Sequence, residues 1–216
     1  MKFILILLLC MPLTASAAEK NLPRVLLIGD SISAGYAPAV KKALAGIAEV
    51  SRIKGNGQHT GTGIKRMDAW LGDNKWDLIH FNWGLWDLCY RHPDSKVQGN
   101  RDKEKGTLTT SLEQYERNLE QLVKRLKLTG AILIWANTTV VPEGEAGRKL
   151  NDDLKYNNAA ARVMERHGVQ INDLNALTRS FEPEWFIKPG DVHFMDVGSE
   201  KLGEQVAMII QEALKP

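Results

Sequence analysis

Cysteine is scarce in this sequence, which has only Cys10 and Cys89 among its 216 residues. Cys10 falls in an N-terminal segment that we interpret as a cleaved signal peptide, so Cys89 would be alone in the mature chain. A single thiol cannot form an intramolecular disulfide, and a cysteine-based metal site needs several such ligands. Neither a disulfide framework nor a cysteine-based metal site is therefore expected.

An excess of charge of one sign is also lacking. The sequence contains 28 Lys and Arg residues and 26 Asp and Glu residues, which gives a formal net charge of +2. Such a balance gives no strong electrostatic attraction to nucleic acid or to anionic lipid. We therefore expect no nucleic-acid partner, and a small molecule or a neutral polymer instead.

A hydrophobic run long enough to span a bilayer comfortably is missing as well. The apolar run Phe3–Leu9 lies between the cationic Lys2 and small residues that end at Ala18. This order is typical of a secretory signal peptide, with an uncleaved N-terminal anchor as the alternative. We interpret residues 1–18 as the signal peptide and 19–216 as a single domain. The mature protein would be periplasmic or secreted, without stable membrane insertion.

Short apolar runs alternate with amphipathic segments along the rest of the chain. Most of the runs are apolar enough to be covered on both faces, which is typical of strands in a parallel sheet. The predicted strands are Arg24–Gly29, Ala48–Ile53, Trp76–Asn82, Ala131–Asn137 and Gly168–Asp173. The predicted helices are Ala37–Gly46, Gly63–Gly72, the stripe from Leu112 to Leu126, Asn151–His167 and Gly198–Leu214.

Strands separated by helices imply right-handed parallel crossovers. The predicted fold is therefore a three-layer α/β/α sandwich with a mainly parallel five-stranded sheet, of the doubly wound, flavodoxin-like kind. In such sheets the functional site forms beyond the carboxyl ends of the strands. Arg91–Thr107 and Val141–Lys149 lack a regular pattern and are predicted to be loops, either functional or plain solvated insertions.

The first predicted strand runs directly into the turn Gly29-Asp30-Ser31-Ile32-Ser33. A serine in a tight strand-to-helix turn lies near free backbone N–H groups and the positive end of a helix, which favours an activated nucleophile with an oxyanion donor beside it. Ser31 could equally cap the following helix or bind a phosphate. The turn alone leaves these alternatives open.

A nucleophilic serine needs a base, and His193 is the histidine best placed for that role. It follows all the predicted strands and precedes the last helix, in the loop "KPGDVHFMDVG". Asp191, two residues earlier, could orient the imidazole and stabilise its charged form. His80 lies inside a predicted strand and is interpreted as a core residue.

These residues resemble the SGNH, or GDSL-type, esterases and lipases. The first block of that family, Gly-Asp-Ser-x-Ser after the first strand, is matched in full by residues 29–33. The resemblance implies that Ser31 is the nucleophile and that its own N–H contributes to the oxyanion hole. It also implies a glycine N–H donor after the second strand, where the spacing favours Gly57 over Gly55 and Gly61.

The third and last blocks of the family are matched in part. In Gly84-Leu85-Trp86-Asp87, Trp86 stands where the family usually has an oxyanion-binding asparagine, so that an indole N–H would have to donate instead. A version with His in place of Trp looks similar to a subgroup of secreted bacterial SGNH proteins. In the last block, Asp-x-x-His, Asp191 lies two residues before His193 rather than three. In an extended segment this displacement would turn the carboxylate away and leave a Ser–His dyad.

The resemblance implies a serine esterase that works through an acyl-enzyme and needs no metal or organic cofactor. No long apolar segment resembles a lipase lid, which favours short acyl groups, such as acetyl on a carbohydrate. Trp83 and Trp86 are the candidates for direct contact with such a substrate, because tryptophan stacks on sugars. The alternatives are a lysophospholipase or thioesterase, a non-catalytic SGNH-fold carbohydrate-binding protein, and a phosphate-binding module.

Overall fold

A parallel sheet of five strands organises the chain in the computed structural model, which describes residues 21–215. The predicted signal peptide lies outside the described residues. The sheet strands are β1 (Arg24–Ile28), β2 (Glu49–Arg52), β3 (Leu78–Phe81), β6 (Ile132–Ala136) and β7 (Gln170–Asn172), in the order β2-β1-β3-β6-β7. Strands β4 (Tyr90–Arg91) and β5 (Thr107–Leu108) form a separate antiparallel pair.

Helices cover the sheet in two groups. They are α1 (Ser31–Ala43), α2 (Thr60–Leu71), α3 (Leu112–Lys127), α4 (Asp152–His167), α5 (Leu174–Arg179) and α6 (Asp196–Ala213). Helix α1 packs against α6, whereas α3 packs between α2 and α4. Strands β1 and β3 lie in the middle of this arrangement and are almost entirely buried, as continuous apolar runs require. The predicted α/β fold with a parallel five-stranded sheet is confirmed.

Two helices begin three or more residues earlier than the sequence predicts. Helix α1 starts at Ser31 rather than Ala37, because the side chain of Asp30 accepts a hydrogen bond from the N–H of Ile32 at 3.0 Å and caps the helix. Gly35 and Pro38 interrupt the helical pattern in the sequence without ending the helix. Ser31 is thus the first residue of a helix rather than part of a longer turn.

Helix α2 starts at Thr60 rather than Gly63, because a residue far along the chain caps it. The buried carboxylate of Asp87, which follows β3, accepts hydrogen bonds from the backbone N–H and the hydroxyl of Thr60. Burial raises the pKa of Asp87 to about 7, although the bonds from Thr60 act in the opposite direction. Asp87 therefore connects the end of β3 to the start of α2.

Candidate active site

The turn after β1 holds Ser31 in one place through close contacts. A Cβ on Gly29 would lie 2.9 Å from the Cβ of Ser33, so only glycine fits there. The Ser33 hydroxyl donates to the carbonyl oxygen of Asp30 at 2.7 Å, and Arg52, at the end of β2, donates to the same oxygen at 3.1 Å. As the first residue of α1, Ser31 has a backbone N–H without an acceptor inside the helix.

The structure brings Ser31 and His193 together from opposite ends of the chain. The Oγ atom of Ser31 lies 2.8 Å from Nε2 of His193, which is hydrogen-bond distance. The segment that carries His193 is held by a hydrogen bond from the N–H of Ile187 to the His193 carbonyl oxygen at 3.0 Å. With Nδ1 of the imidazole protonated, Nε2 can accept the hydroxyl proton of Ser31.

Asp191 reaches His193 even though it lies only two residues before it. Its Oδ1 atom is 2.7 Å from Nδ1 of His193 and also accepts the backbone N–H of His193 at 3.0 Å. This is the geometry of an Asx turn, in which an aspartate bonds to the backbone two residues on. Gly190, with φ of +72°, leads the chain into the turn. The segment is therefore not extended, and the carboxylate does not point away.

The electrostatic setting of Asp191 favours its ionised form. Burial acts to raise the pKa of this carboxyl, but the two hydrogen bonds from His193 and the positive charge of nearby Arg101 outweigh burial and leave the pKa below its usual value. A carboxylate that stays ionised next to Nδ1 can stabilise a positively charged imidazole. Ser31, His193 and Asp191 thus form a continuous hydrogen-bonded chain at the carboxyl end of the sheet.

Two sequence predictions are corrected by the structure. The N–H of Gly57 donates to the carbonyl oxygen of Gly29 at 3.0 Å, and a Cβ on Gly57 would lie 2.8 Å from that oxygen. Gly57 therefore allows close packing of two turns and does not offer a free oxyanion donor. Trp83 is fully buried and donates its indole N–H to the Gly57 carbonyl oxygen at 3.1 Å. It is a core residue and not a substrate contact.

A cavity of about 240 Å³ opens next to Ser31 and His193. Trp86 lines it, as the sequence suggests for a substrate contact. Asn56 lines it as well; its Oδ1 accepts the N–H of Gln58 at 2.8 Å, whereas its Nδ2 has no acceptor within residues 21–215. An amide donor thus lies in the cavity where the sequence predicts a glycine N–H. Its signal in the sequence, an asparagine directly before Gly57, is weak.

Three arginines that the sequence analysis did not single out line the same cavity. They are Arg91, Arg101 and Arg148, and they come from the two stretches predicted to be loops. In the sequence, these arginines are visible only as charges within long irregular segments, which a solvated loop shows equally well.

In the part of the chain that the structure describes, no group of three or more His, Cys, Asp or Glu side chains could hold a metal ion. No helix there is long and apolar enough to cross a membrane.

An α/β/α sandwich with a Ser–His–Asp chain beyond the strand ends has the architecture of a serine hydrolase. A model of the GDSL-like lipase/acylhydrolase family matches residues 27–201, and the chain belongs to this family. It is therefore an ester-hydrolysing enzyme, as the sequence predicts.

The chain is also similar to a curated esterase and to solved structures of hydrolases. An arylesterase from Vibrio mimicus is 24% identical over 197 residues, which cover 86% of each chain. Among solved structures, a lipase/acylhydrolase from Enterococcus faecalis superposes with a TM-score of 0.70 at 22% identity, over 90% of this chain and 98% of that one. The acetyl xylan esterase AlAXEase superposes with a TM-score of 0.67 at 16% identity, over 87% of this chain and 99% of that one. The two structural matches establish the shared fold.

Proposed function

We propose that the protein hydrolyses short-acyl carboxylic esters through an acyl-enzyme on Ser31. The observation that carries this proposal is the hydrogen-bonded chain from Ser31 through His193 to Asp191, with distances of 2.8 and 2.7 Å. Nucleophile, base and orienting acid at these distances are what acyl transfer requires.

The proposed reaction starts when Ser31 Oγ attacks the ester carbonyl carbon and its proton passes to Nε2 of His193. A bond forms between Oγ and the carbonyl carbon, and the carbonyl oxygen becomes an oxyanion. The bond to the alcohol oxygen then breaks, and the alcohol leaves with the proton from His193. Water, deprotonated by His193, then attacks the carbonyl carbon of the acyl-enzyme. The bond from this carbon to Ser31 Oγ breaks, Oγ takes back the proton from His193, and the carboxylic acid is released.

The oxyanion needs donors close to Ser31, and the N–H of Ser31 itself is the first of them. We propose Nδ2 of Asn56 as the second donor to the oxyanion, because Asn56 lines the same cavity and its Nδ2 has no acceptor in the described residues. The indole of Trp86 also lines the cavity and is a third candidate donor. The N–H of Gly57 is excluded from this set, because it is bonded to Gly29.

The size of the cavity supports short acyl groups such as acetyl. A volume of about 240 Å³ is below the roughly 300–1,000 Å³ typical of pockets that enclose drug-sized ligands. The lining combines the apolar side chains of Leu85 and Val192 and the indole of Trp86 with polar and charged residues, an arrangement that also fits a small alcohol such as a sugar. That one structural neighbour is an acetyl xylan esterase is in line with this proposal.

Hydrolysis of p-nitrophenyl acetate and p-nitrophenyl octanoate by the purified protein tests the proposal. We expect the acetate to be preferred and Ser31→Ala to lower kcat/KM by at least about 10⁴-fold, because the nucleophile is lost. Ser51→Ala, a change at an exposed serine on β2, is the matched control and should keep the wild-type rate. An inert wild-type protein, or equal activity of wild type and Ser31→Ala, would contradict the proposal. A preference for the octanoate would contradict the short-acyl part alone.

A further inference from the structure

Part of the cavity wall is built by two loop regions, residues 90–103 and 145–148, that hydrogen-bond to each other. The backbone N–H of Tyr90 donates to the Gly147 carbonyl oxygen at 2.6 Å, and the N–H of Lys103 donates to the Ala146 carbonyl oxygen at 2.8 Å. Gly147 allows this contact, because a Cβ there would lie 2.7 Å from the Cβ of Arg101. The two loops therefore form one surface, and their arginines line the same cavity.

Glu145 neutralises part of the positive charge on this surface. Its carboxylate is fully buried and bonds to Arg101 at 2.7 Å and to Arg148 at 2.9 Å. Arg148 also donates from Nε to the carbonyl oxygen of Leu85 at 2.7 Å, which fixes its guanidinium next to the cavity. One carboxylate is thus shared by two guanidinium groups.

Arg91 has no carboxylate partner within residues 21–215. Its guanidinium lies over the indole of Trp86, 4.5 Å from the ring centroid, and one of its nitrogens donates to the Gly99 carbonyl oxygen. Its Nε and Nη2 have no acceptor in the described residues. The other carboxylates at the cavity are engaged: Asp30 caps α1, and Asp191 holds His193. Arg91 is therefore a half-buried cation with free donors beside the reactive serine.

We propose that this surface binds a carboxylate of the substrate, and that the preferred substrate is an ester that carries a carboxylate near the scissile bond. Arg91 is the principal ligand, because its guanidinium lies over Trp86 and its Nε and Nη2 groups, which have no other acceptor in the described residues, can donate two parallel hydrogen bonds to a carboxylate. Arg148 and Arg101 add positive charge that Glu145 does not cancel. The inference rests on the proposed function, since it names the substrate class for the same site.

A neutral sugar ester has no charged group that the free donors of Arg91 could bind. A half-buried guanidinium that lacks a counter-ion bears a desolvation cost, which an anionic ligand would remove. A purely structural role, holding Gly99, needs one N–H donor and no stacking on a residue of the cavity. Charge, stacking and free donors together point to a bound anion. The carboxylate can belong to the alcohol part or to the acyl part of the ester, and the experiment separates the two.

Matched pairs of esters test the inference. On the alcohol side, 4-acetoxybenzoate is compared with its neutral methyl ester; on the acyl side, monoethyl glutarate is compared with ethyl pentanoate. We expect kcat/KM to favour the carboxylated member of at least one pair by about 10- to 100-fold, the effect typical of a charge-assisted hydrogen bond. This preference should shrink between 0.05 and 0.5 M salt, because the cavity is open to solvent.

Arg91→Gln should bring the ratio of carboxylated to neutral kcat/KM close to one, and Arg91→Lys should restore part of it. Arg66→Gln is the matched control, since Arg66 also lies over a tryptophan, Trp70, at 5.8 Å but outside the cavity. This variant should keep the wild-type ratio. The inference is overturned if wild type hydrolyses these esters and prefers neither carboxylated one, or if Arg91→Gln keeps the wild-type ratio.

Failure of the proposed function gives a different result from failure of this inference. If wild type hydrolyses the neutral esters without preferring the charged ones, the result supports the proposed esterase activity and contradicts the proposed carboxylate site. If no ester is hydrolysed, the esterase proposal falls, and calorimetric titration with glutarate and with 4-hydroxybenzoate decides the site. Weaker binding of either anion to Arg91→Gln than to wild type supports the inference. Equal binding, or no binding to wild type, overturns it.

Discussion

The two sides of the cavity are built in different ways. On one side, Ser31 follows β1 directly, and its position is set by the sheet, by Gly29 and by the hydrogen bonds of Arg52 to the turn. On the other side, the arginines lie outside the central sheet. Arg101 and Arg148 share the buried carboxylate of Glu145, whereas Arg91 lies in the short strand β4 with its guanidinium over Trp86. The first side holds the groups proposed for bond cleavage, and the second holds those proposed for recognition.

Because of this difference, we expect substitutions on the two sides of the cavity to have different effects. The carboxyl ends of the central strands are fixed by backbone hydrogen bonds between strands that are buried on both faces, so a change in the loops should leave Ser31 in place. The loop wall, in contrast, is held by side-chain ion pairs and a few backbone bonds. Substitutions in the wall should therefore alter substrate preference and stability while the serine keeps its reactivity.

Asp191 gives the largest effect expected on the reactive side after Ser31 and His193. Asp191→Asn should lower kcat/KM by about 10²- to 10⁴-fold, because an amide no longer stabilises the positively charged imidazole or fixes its tautomer. Measurement with p-nitrophenyl acetate checks this value. Asp73→Asn, a change at an exposed aspartate after α2, should have no effect. A loss of only a few-fold for Asp191→Asn would indicate that Ser31 and His193 work as a dyad.

Glu145 gives the largest effect expected in the loop wall. Glu145→Gln should lower the free energy of unfolding by about 3–5 kcal/mol, because it leaves two buried or partly buried guanidinium groups without their counter-ion. Urea unfolding measures the change. Glu113→Gln is the matched control, since Glu113 pairs with Arg117 on the exposed face of α3 and such pairs contribute little.

The same variant also tests whether the two sides are independent. In conditions where Glu145→Gln is folded, a fluorophosphonate should label Ser31 at close to the wild-type rate, because the carboxyl ends of the central strands are intact. Loss of labelling in a folded protein would show that the loop wall also positions the serine. An unfolding free energy equal to that of wild type would show that the buried ion pairs do not stabilise the wall.

The sequence predicts the sheet side of the site better than the loop side, for physical reasons. A buried strand followed by a glycine, an acid and a serine is a local pattern, so the position of Ser31 at the end of the strand can be predicted from it. Its role as a nucleophile is predicted only together with His193 and the family resemblance. The approach of Asp191 to His193 could not, because it depends on the Asx turn entered through Gly190 and not on spacing alone. The role of Gly57 was predicted wrongly, since its spacing fits a donor but its N–H bonds to Gly29.

The arginine wall could not be predicted because its members meet only after folding. Arg91 and Arg148 are far apart in the sequence, and each alone looks like a charge on a solvated loop. What brings them to one cavity is the contact between the two loops, together with Glu145 in the interior between Arg101 and Arg148. Nothing in the sequence indicates that the charged side chain of Glu145 is fully buried.

Asn56 gives a smaller effect and belongs to the reactive side by its proposed chemistry, although it lies on the loop after β2. Asn56→Ala should lower kcat for p-nitrophenyl acetate by about 10²-fold with little change in KM, because an oxyanion donor acts mainly in the transition state. Steady-state kinetics separate the two constants.

Asn56→Asp distinguishes this role from a structural one. Oδ1 of Asn56 holds the N–H of Gln58, whose φ of +49° lies in the left-handed region, so the asparagine also stabilises a strained turn. Aspartate keeps that acceptor but has no donor, and its charge opposes an oxyanion. We therefore expect Asn56→Asp to be at least as impaired as Asn56→Ala. If Asn56→Asp instead has the kcat of wild type, Asn56 acts by shaping the Gln58 turn, and the oxyanion is held without it.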